Sequence, residues 1–257
     1  MTIRLALVLA VLGICPITAF GQRSGAAVRG PVPVTFMFEA YGMGCQSGVP
    51  FAGDRVRETT RTQPDGTRVS QTFPTERMAR DAQGRMHEER AFGSTVSIVI
   101  IRDCVAGVAY ILDTQAKVTH RVALQPMPTR EERMTAQPAP PPQVAANPKP
   151  QTTSEDLGTQ VIEGLMAHGT RSGVLYPVGY QGSQNPVGSV NEVWTSTELN
   201  VPLLQAQSTG GLHPLDNTVR LINISRSELD PALFTPPADY SVVEESGPRV
   251  TLHFTAR

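Results

Sequence analysis

The histidines and carboxylates are where this chain would carry catalysis or metal chemistry. His87-Glu88-Glu89-Arg90-Ala91 opens like a zinc-protease helix, but position 91 is alanine where the second ligand would stand. Gly182-Ser183-Gln184-Asn185 begins like a nucleophile elbow and lacks its closing glycine. Gly42-Met43-Gly44-Cys45-Gln46-Ser47-Gly48 has the glycine content of a phosphate loop, but no helix follows to supply a dipole. His87, His120, His168, His213 and His253 are scattered, and solvent-facing strand or loop positions are expected for them. Glu88-Glu89 and Glu244-Glu245 are adjacent carboxylates, and neighbours on a strand point to opposite faces, so each pair is expected to diverge onto solvated edges. The reading is therefore no catalytic residue, no metal ligand and no cofactor.

The basic residues point to one patch. Of 22 basic residues only Lys117 and Lys149 are lysines. Arg55, Arg57, Arg61 and Arg68 fall on one predicted hairpin. The odd spacing of the first three puts them on one face. An anion-binding patch and a solvated face with acidic cross-strand neighbours both fit, and the second is favoured. The formal net charge of −1 excludes the broad electrostatic surface of a nucleic-acid binder.

Strands joined by tight turns must position these groups. Expected strands before the proline-rich stretch are 32–40, 54–63, 67–73, 75–80, 85–91, 95–102, 108–112 and 118–124. Those after it are 158–165, 171–177, 189–196, 203–208, 218–225 and 250–254. Turn chemistry separates them at Pro64-Asp65-Gly66, Asp81-Ala82-Gln83-Gly84 and 113–117. Val96, Ile98, Val99, Ile100 and Ile101 form a β-branched run that predicts burial on both faces. Ser227-Glu228-Leu229-Asp230-Pro231 could open one helical turn through Phe234. A short helix near 131–135 is the only other helical expectation. The fold class expected is mainly β: a large curved antiparallel sheet, an open half-barrel with short helical turns and a proline-rich insertion.

The 257-residue chain opens on a segment with the form of a secretory signal peptide. Arg4 is its charged end, 5–14 its apolar run, and Ala19-Phe20-Gly21 places cleavage before Gln22. The expected organisation is 1–21 signal peptide, 22–31 a loose lead-in, and 32–257 one β-rich domain interrupted by a linker at 126–153. That linker carries eight prolines between Pro126 and Pro150. Export leaves Cys45 and Cys104 in an oxidising compartment, either as one disulfide or as two free thiols. A disulfide there would close a loop of about 60 residues, worth roughly 4 kcal/mol on the chain-entropy account. No transmembrane anchor is expected after cleavage.

Several segments taken together resemble a family of uncharacterised secreted bacterial proteins. They are Asp65-Gly66-Thr67-Arg68, Arg80-Asp81-Ala82-Gln83-Gly84-Arg85 and Asp103-Cys104-Val105-Ala106-Gly107-Val108-Ala109-Tyr110. After the linker they are Leu157-Gly158-Thr159-Gln160-Val161-Ile162-Glu163-Gly164, Gly169-Thr170-Arg171, Glu192-Val193-Trp194-Thr195-Ser196, Asp230-Pro231-Ala232-Leu233-Phe234 and Pro237-Ala238-Asp239-Tyr240. Cys104 stands where that family's pattern has proline. The family is in turn similar to LolA-like lipoprotein and lipid carriers. The resemblance implies a curved sheet with an open apolar face, partly plugged by short helices. No functional residue of those carriers maps onto a position here.

An apolar inner face must be filled by the chain itself or by a ligand. Val161, Leu165, Val193, Leu221 and Phe234 are the candidates for ligand lining, with ordinary core packing as the alternative for each. Trp194, the only tryptophan, is expected in the core. The function expected is an exported, periplasmic or secreted, non-enzymatic binding protein for a lipid, acyl chain or lipidated peptide. The alternative is an envelope sensor or protein-interaction module with a filled core, recruiting an envelope protein through the arginine hairpin or the proline-rich segment.

Overall fold

The computed structural model describes residues 32–41, 47–92, 96–126, 129, 131–132, 149–180, 184–210, 214–247 and 249–256. Residues 1–21, expected as signal peptide, residues 22–31, expected as lead-in, Cys45, His213 and most of the proline-rich stretch lie outside them. The described residues form fifteen strands: β1 Val32–Glu39, β2 Phe51–Thr62, β3 Arg68–Thr72, β4 Glu76–Arg80, β5 Met86–Phe92, β6 Val96–Asp103, β7 Val108–Asp113, β8 Val118–Ala123, β9 Gln151–Ile162, β10 Leu165–Tyr176, β11 Val187–Ser196, β12 Pro202–Thr209, β13 Leu215–Ser225, β14 Ser241–Glu244 and β15 Arg249–Ala256. A 3-10 turn spans Pro231–Phe234. Among the described residues no helix is long and apolar enough to cross a membrane.

Thirteen strands form one open sheet in the order β14-β8-β7-β6-β5-β4-β2-β13-β12-β11-β10-β9, with β3 hydrogen-bonded to β2 off that path. The sheet runs through both sides of the proline-rich stretch, because β13 pairs antiparallel with β2. Two features depart from a single antiparallel sheet. β14 pairs with β8 in parallel, and β1 pairs with β15 in a separate two-stranded ribbon.

Aspartates punctuate the hairpins. Asp65, Asp81, Asp103 and Asp113 each accept from backbone N–H groups two to four residues on, an Asx-type closure that makes each turn local. Gly66 takes φ 84° in the first of these turns, which no β-branched residue would tolerate.

Three apolar clusters show what covers the sheet. Phe36, Phe38, Val250 and Leu252 of the ribbon pack on Ile98, Ile100, Ala109, Ile111 and Val122 of β6–β8. On the other face Phe234 of the 3-10 turn packs on Ala79, Ile101 and Leu112. β6 is thus buried on both faces, as its β-branched run predicts. The third cluster gathers Phe51, Met78, Met86, Leu165, Ala167, Trp194, Leu199, Leu203 and Leu221.

Candidate functional site

The pairing register puts Ile100, Glu88, Met78 and Gly53 in one cross-strand row on the face that the ribbon covers. Along β2 the same face carries Arg55 and Arg57, opposite Leu221 and Val219 of β13. The ribbon packs over β6–β8, and beside β2 and β13 the face opens into a cleft of about 240 Å³. Its walls are Met78, Val201, Pro202, Val219 and Leu221, with Arg55, Arg57 and Gln205 as polar groups. Room on that scale takes about eight groups the size of a water molecule. Gly53 lets the wall close up, because a Cβ there would sit 3.0 Å from Leu221 and 3.2 Å from the Ile222 carbonyl.

The two arginines differ in their surroundings. Arg55 Nη1 donates to Glu76 Oε2 at 3.2 Å, and its Nη2 faces Met78 Sδ at 3.4 Å, a weak acceptor. The Arg57 guanidinium lies 6.0 Å from the centre of the Phe73 ring. Arg68 points elsewhere and pairs with Asp216 at 2.9 Å. The hairpin therefore divides its basic residues between the two faces.

Between ribbon and cleft the same face holds a buried ion cluster. Glu88 is 8% exposed and accepts from Arg90 Nη2 at 2.8 Å and from Arg102 Nη1. Burial pushes its carboxyl up, but Arg102, Arg90 and Arg55 together outweigh burial and hold it below the ordinary glutamate value. Arg102 also stacks on the Phe38 ring of the ribbon at 5.1 Å. Arg80 is 3% exposed and donates to the carbonyls of Val49 and Leu199 at 3.0 and 2.7 Å, which ties the two loops to β4. Desolvation lowers its pKa below the usual arginine value. The Nε atoms of Arg80, Arg90 and Arg102 are buried without a hydrogen-bond partner. Adjacent Glu88 and Glu89 do diverge. Glu88 nevertheless lies in the interior, against the solvated edge expected of it, because two arginines from β5 and β6 neutralise it there.

The opposite face carries a second cleft of about 320 Å³, bordered by Asp54, Arg77, His87, Glu89, Asn223 and Leu233 among others. His87 is buried rather than solvent-facing. Its Nδ1 lies 2.6 Å from the Leu233 carbonyl of the 3-10 turn and so ties the turn to β5, while its Nε2 lies 3.1 Å from Glu89 Oε1 on the same strand. The hydrogen bond to His87 is the largest cause that lowers the Glu89 pKa. Among the described residues no group of three or more His, Cys, Asp or Glu is placed to hold a metal ion.

The candidate lining residues are dispersed by the fold. Leu221 lines the first cleft. Val193 is half-buried on the same face, one strand beyond Gln205 in the lateral row Arg57, Val219, Gln205, Val193. Leu165 is buried in the cluster that includes Leu221. Val161 is exposed on the edge strand β9, and Phe234 is buried on the opposite face. Met78, Val201, Pro202 and Val219 were not among the candidates; only the pairing of β2, β4, β12 and β13 brings them together. Trp194 is buried, and its Nε1 donates to Glu192 Oε1 at 2.6 Å. Cys104 sits in the turn after β6 with its Sγ 3.6 Å from the Gly84 carbonyl oxygen.

The architecture is mainly β, with one large, predominantly antiparallel and unclosed sheet whose inner face is partly covered by a ribbon. No protein-family model matches the chain, and no curated protein is similar to it in sequence. Solved structures similar in fold include the ywiB protein from Bacillus subtilis, at 8% identity over 67% of this chain and 91% of that one, TM-score 0.19. A LolA superfamily protein from Nitrosomonas europaea is similar at 9% identity over 72% and 90%, TM-score 0.20. A domain named for outer membrane lipoprotein sorting, from Vibrio parahaemolyticus, is similar at 7% identity over 71% and 89%, TM-score 0.17. The likeness is a weak one of fold alone, and the functional reading rests on the cleft.

Proposed function

We propose that this is an exported, non-enzymatic binding protein whose inner sheet face takes a small amphiphile: a lipid, a free acyl chain or the lipidated end of a peptide. The observation that carries this reading is the cleft beside Leu221. On the middle strands of the sheet Met78, Val201, Pro202, Val219 and Leu221 surround a cleft, with Arg55, Arg57 and Gln205 as its polar lining. Val193 extends the same surface, and Leu165 backs it from the shared cluster. The signal segment delivers the chain to the periplasm or beyond. In that compartment Cys45 and Cys104 pair as a disulfide, which a mass gain of two hydrogen atoms per chain on reduction would register.

Displacement of a fluorescent fatty acid tests the reading. The full chain is expected to bind it. Gln205→Trp, at an exposed lining position, is expected to fill the cleft and abolish binding. Arg220→Trp, on the other face of β13, is expected to bind as the parent does. Absence of binding by the parent protein, or equal binding by Gln205→Trp, overturns the proposal.

A protein-recruiting module is favoured by one separate feature. β9 is a twelve-residue edge strand, exposed at nearly every position and paired only with β10 among the described strands. An edge of that kind can accept a strand from a partner. Pull-down of one specific envelope protein that is lost on replacing Leu157 by proline would favour this reading.

A further inference from the structure

The cleft's polar groups are uneven in charge, and that asymmetry says which headgroup it takes. We infer that the site selects amphiphiles with an anionic head, a carboxylate or a phosphate monoester, seated on Arg57 with Arg55 behind it. The inference rests on the amphiphile reading of the same cleft and narrows its ligand class.

Two guanidinium groups line the cleft and no carboxylate does. Glu76 occupies a single Nη of Arg55 and the other Nη faces a thioether sulfur, while Glu88, beside Met78, acts on Arg55 through space. Arg57 makes no ion pair among the described residues. Across the sheet from Arg57 stand Val219 and then Gln205, both neutral. An apolar wall on one side and a cation with no counter-ion on the other is the environment in which an anion with a hydrocarbon tail is held better than either part alone.

The placement of Arg57 also suits recognition. Phe73 lies beside its guanidinium, so the group is supported on one side and can present its donor edge to the cleft. A carboxylate or phosphate oxygen pair matches that planar fork. A neutral head offers this exposed guanidinium no charge to pair with, and a cationic head would be repelled. The cleft's volume matches an eight-carbon tail rather than a long acyl chain held throughout its length.

Calorimetric titration of the full chain with octyl compounds tests this. Octanoate and octyl phosphate are expected to bind, with octanol and octyltrimethylammonium weaker by about 10- to 100-fold, the worth of a hydrogen bond to a charged group. Inorganic phosphate alone is expected not to bind, which separates an amphiphile's head from a free anion. Arg57→Gln is expected to bring octanoate to the level of octanol, Arg57→Lys to keep part of the preference, and Arg220→Gln to change nothing. Equal binding of all four octyl compounds overturns the headgroup inference and leaves the amphiphile reading standing. Binding of none of them overturns the amphiphile reading itself. Phosphate binding as tightly as octyl phosphate overturns the claim that the tail is recognised.

Discussion

Glu88 is the position at which a single-atom change tests the packing of the inner face. Glu88→Gln keeps the shape and removes the charge. It leaves Arg102, whose side chain is 12% exposed, and Arg90, 31% exposed, without their shared counter-ion. Breaking a buried pair this way costs about 3–5 kcal/mol, and the partial exposure of Arg90 favours the low end, about 3 kcal/mol. For a domain of this size that is a fall in Tm of roughly 6–12 °C. The pH dependence follows from the depressed carboxyl. Because Glu88 ionises below its unfolded value of about 4.3, its stabilisation is complete above that pH and is lost as pH falls through the folded value. The gap between parent and variant, followed by circular-dichroism melting from about pH 7 downward, is therefore expected to be constant to about pH 4.3 and to narrow below it. The double variant with Arg102→Met is expected to lose at least about 1 kcal/mol less than the sum of the singles. A Tm within about 2 °C of the parent, or a gap that widens on acidification, would refute the view that this carboxylate works as a buried counter-ion.

Gly169 has no room for a side chain, since a Cβ would lie 2.6 Å from the Trp194 ring. Gly169→Ala is expected to cost about 1–3 kcal/mol in urea denaturation and to red-shift the emission of the single tryptophan; unchanged emission would contradict the stacking. Phe234→Ala empties the pocket formed with Ala79, Ile101 and Leu112, and about 3–5 kcal/mol of destabilisation is expected by the same assay, with a loss under about 1 kcal/mol against it.

Periodicity and turn chemistry made most strands legible, and the reasons for the exceptions are local. The segment 158–165 reads as one strand because it is β-rich throughout, but Glu163 and Gly164 both take positive φ, 50° and 75°, and make the turn between β9 and β10. Glu-Gly is a weaker signal for such a turn than Asn-Gly. β14 is four residues long and parallel to β8, a partnership that no local pattern announces. β9 begins at Gln151, inside the stretch expected as linker, because its Thr, Ser and Gln residues suit an exposed edge and carry no apolar alternation. In the candidate site, Leu221 and the common face of Arg55 and Arg57 were readable from spacing. The rest of the wall was not, since Met78 beside β2 meets Val201 and Val219 only through the pairing of β2 with β13, between residues more than a hundred positions apart in the chain.

On the proposed reading an amphiphile sits on the inner face between β2 and β13. A crystal structure with 8-bromooctanoate, read by the anomalous signal of bromine, tests it most directly. One bromine peak is expected among Met78, Val219 and Leu221, with the carboxylate toward Arg57. A peak beside His87 on the opposite face, or no ordered bromine at saturating ligand, would contradict it.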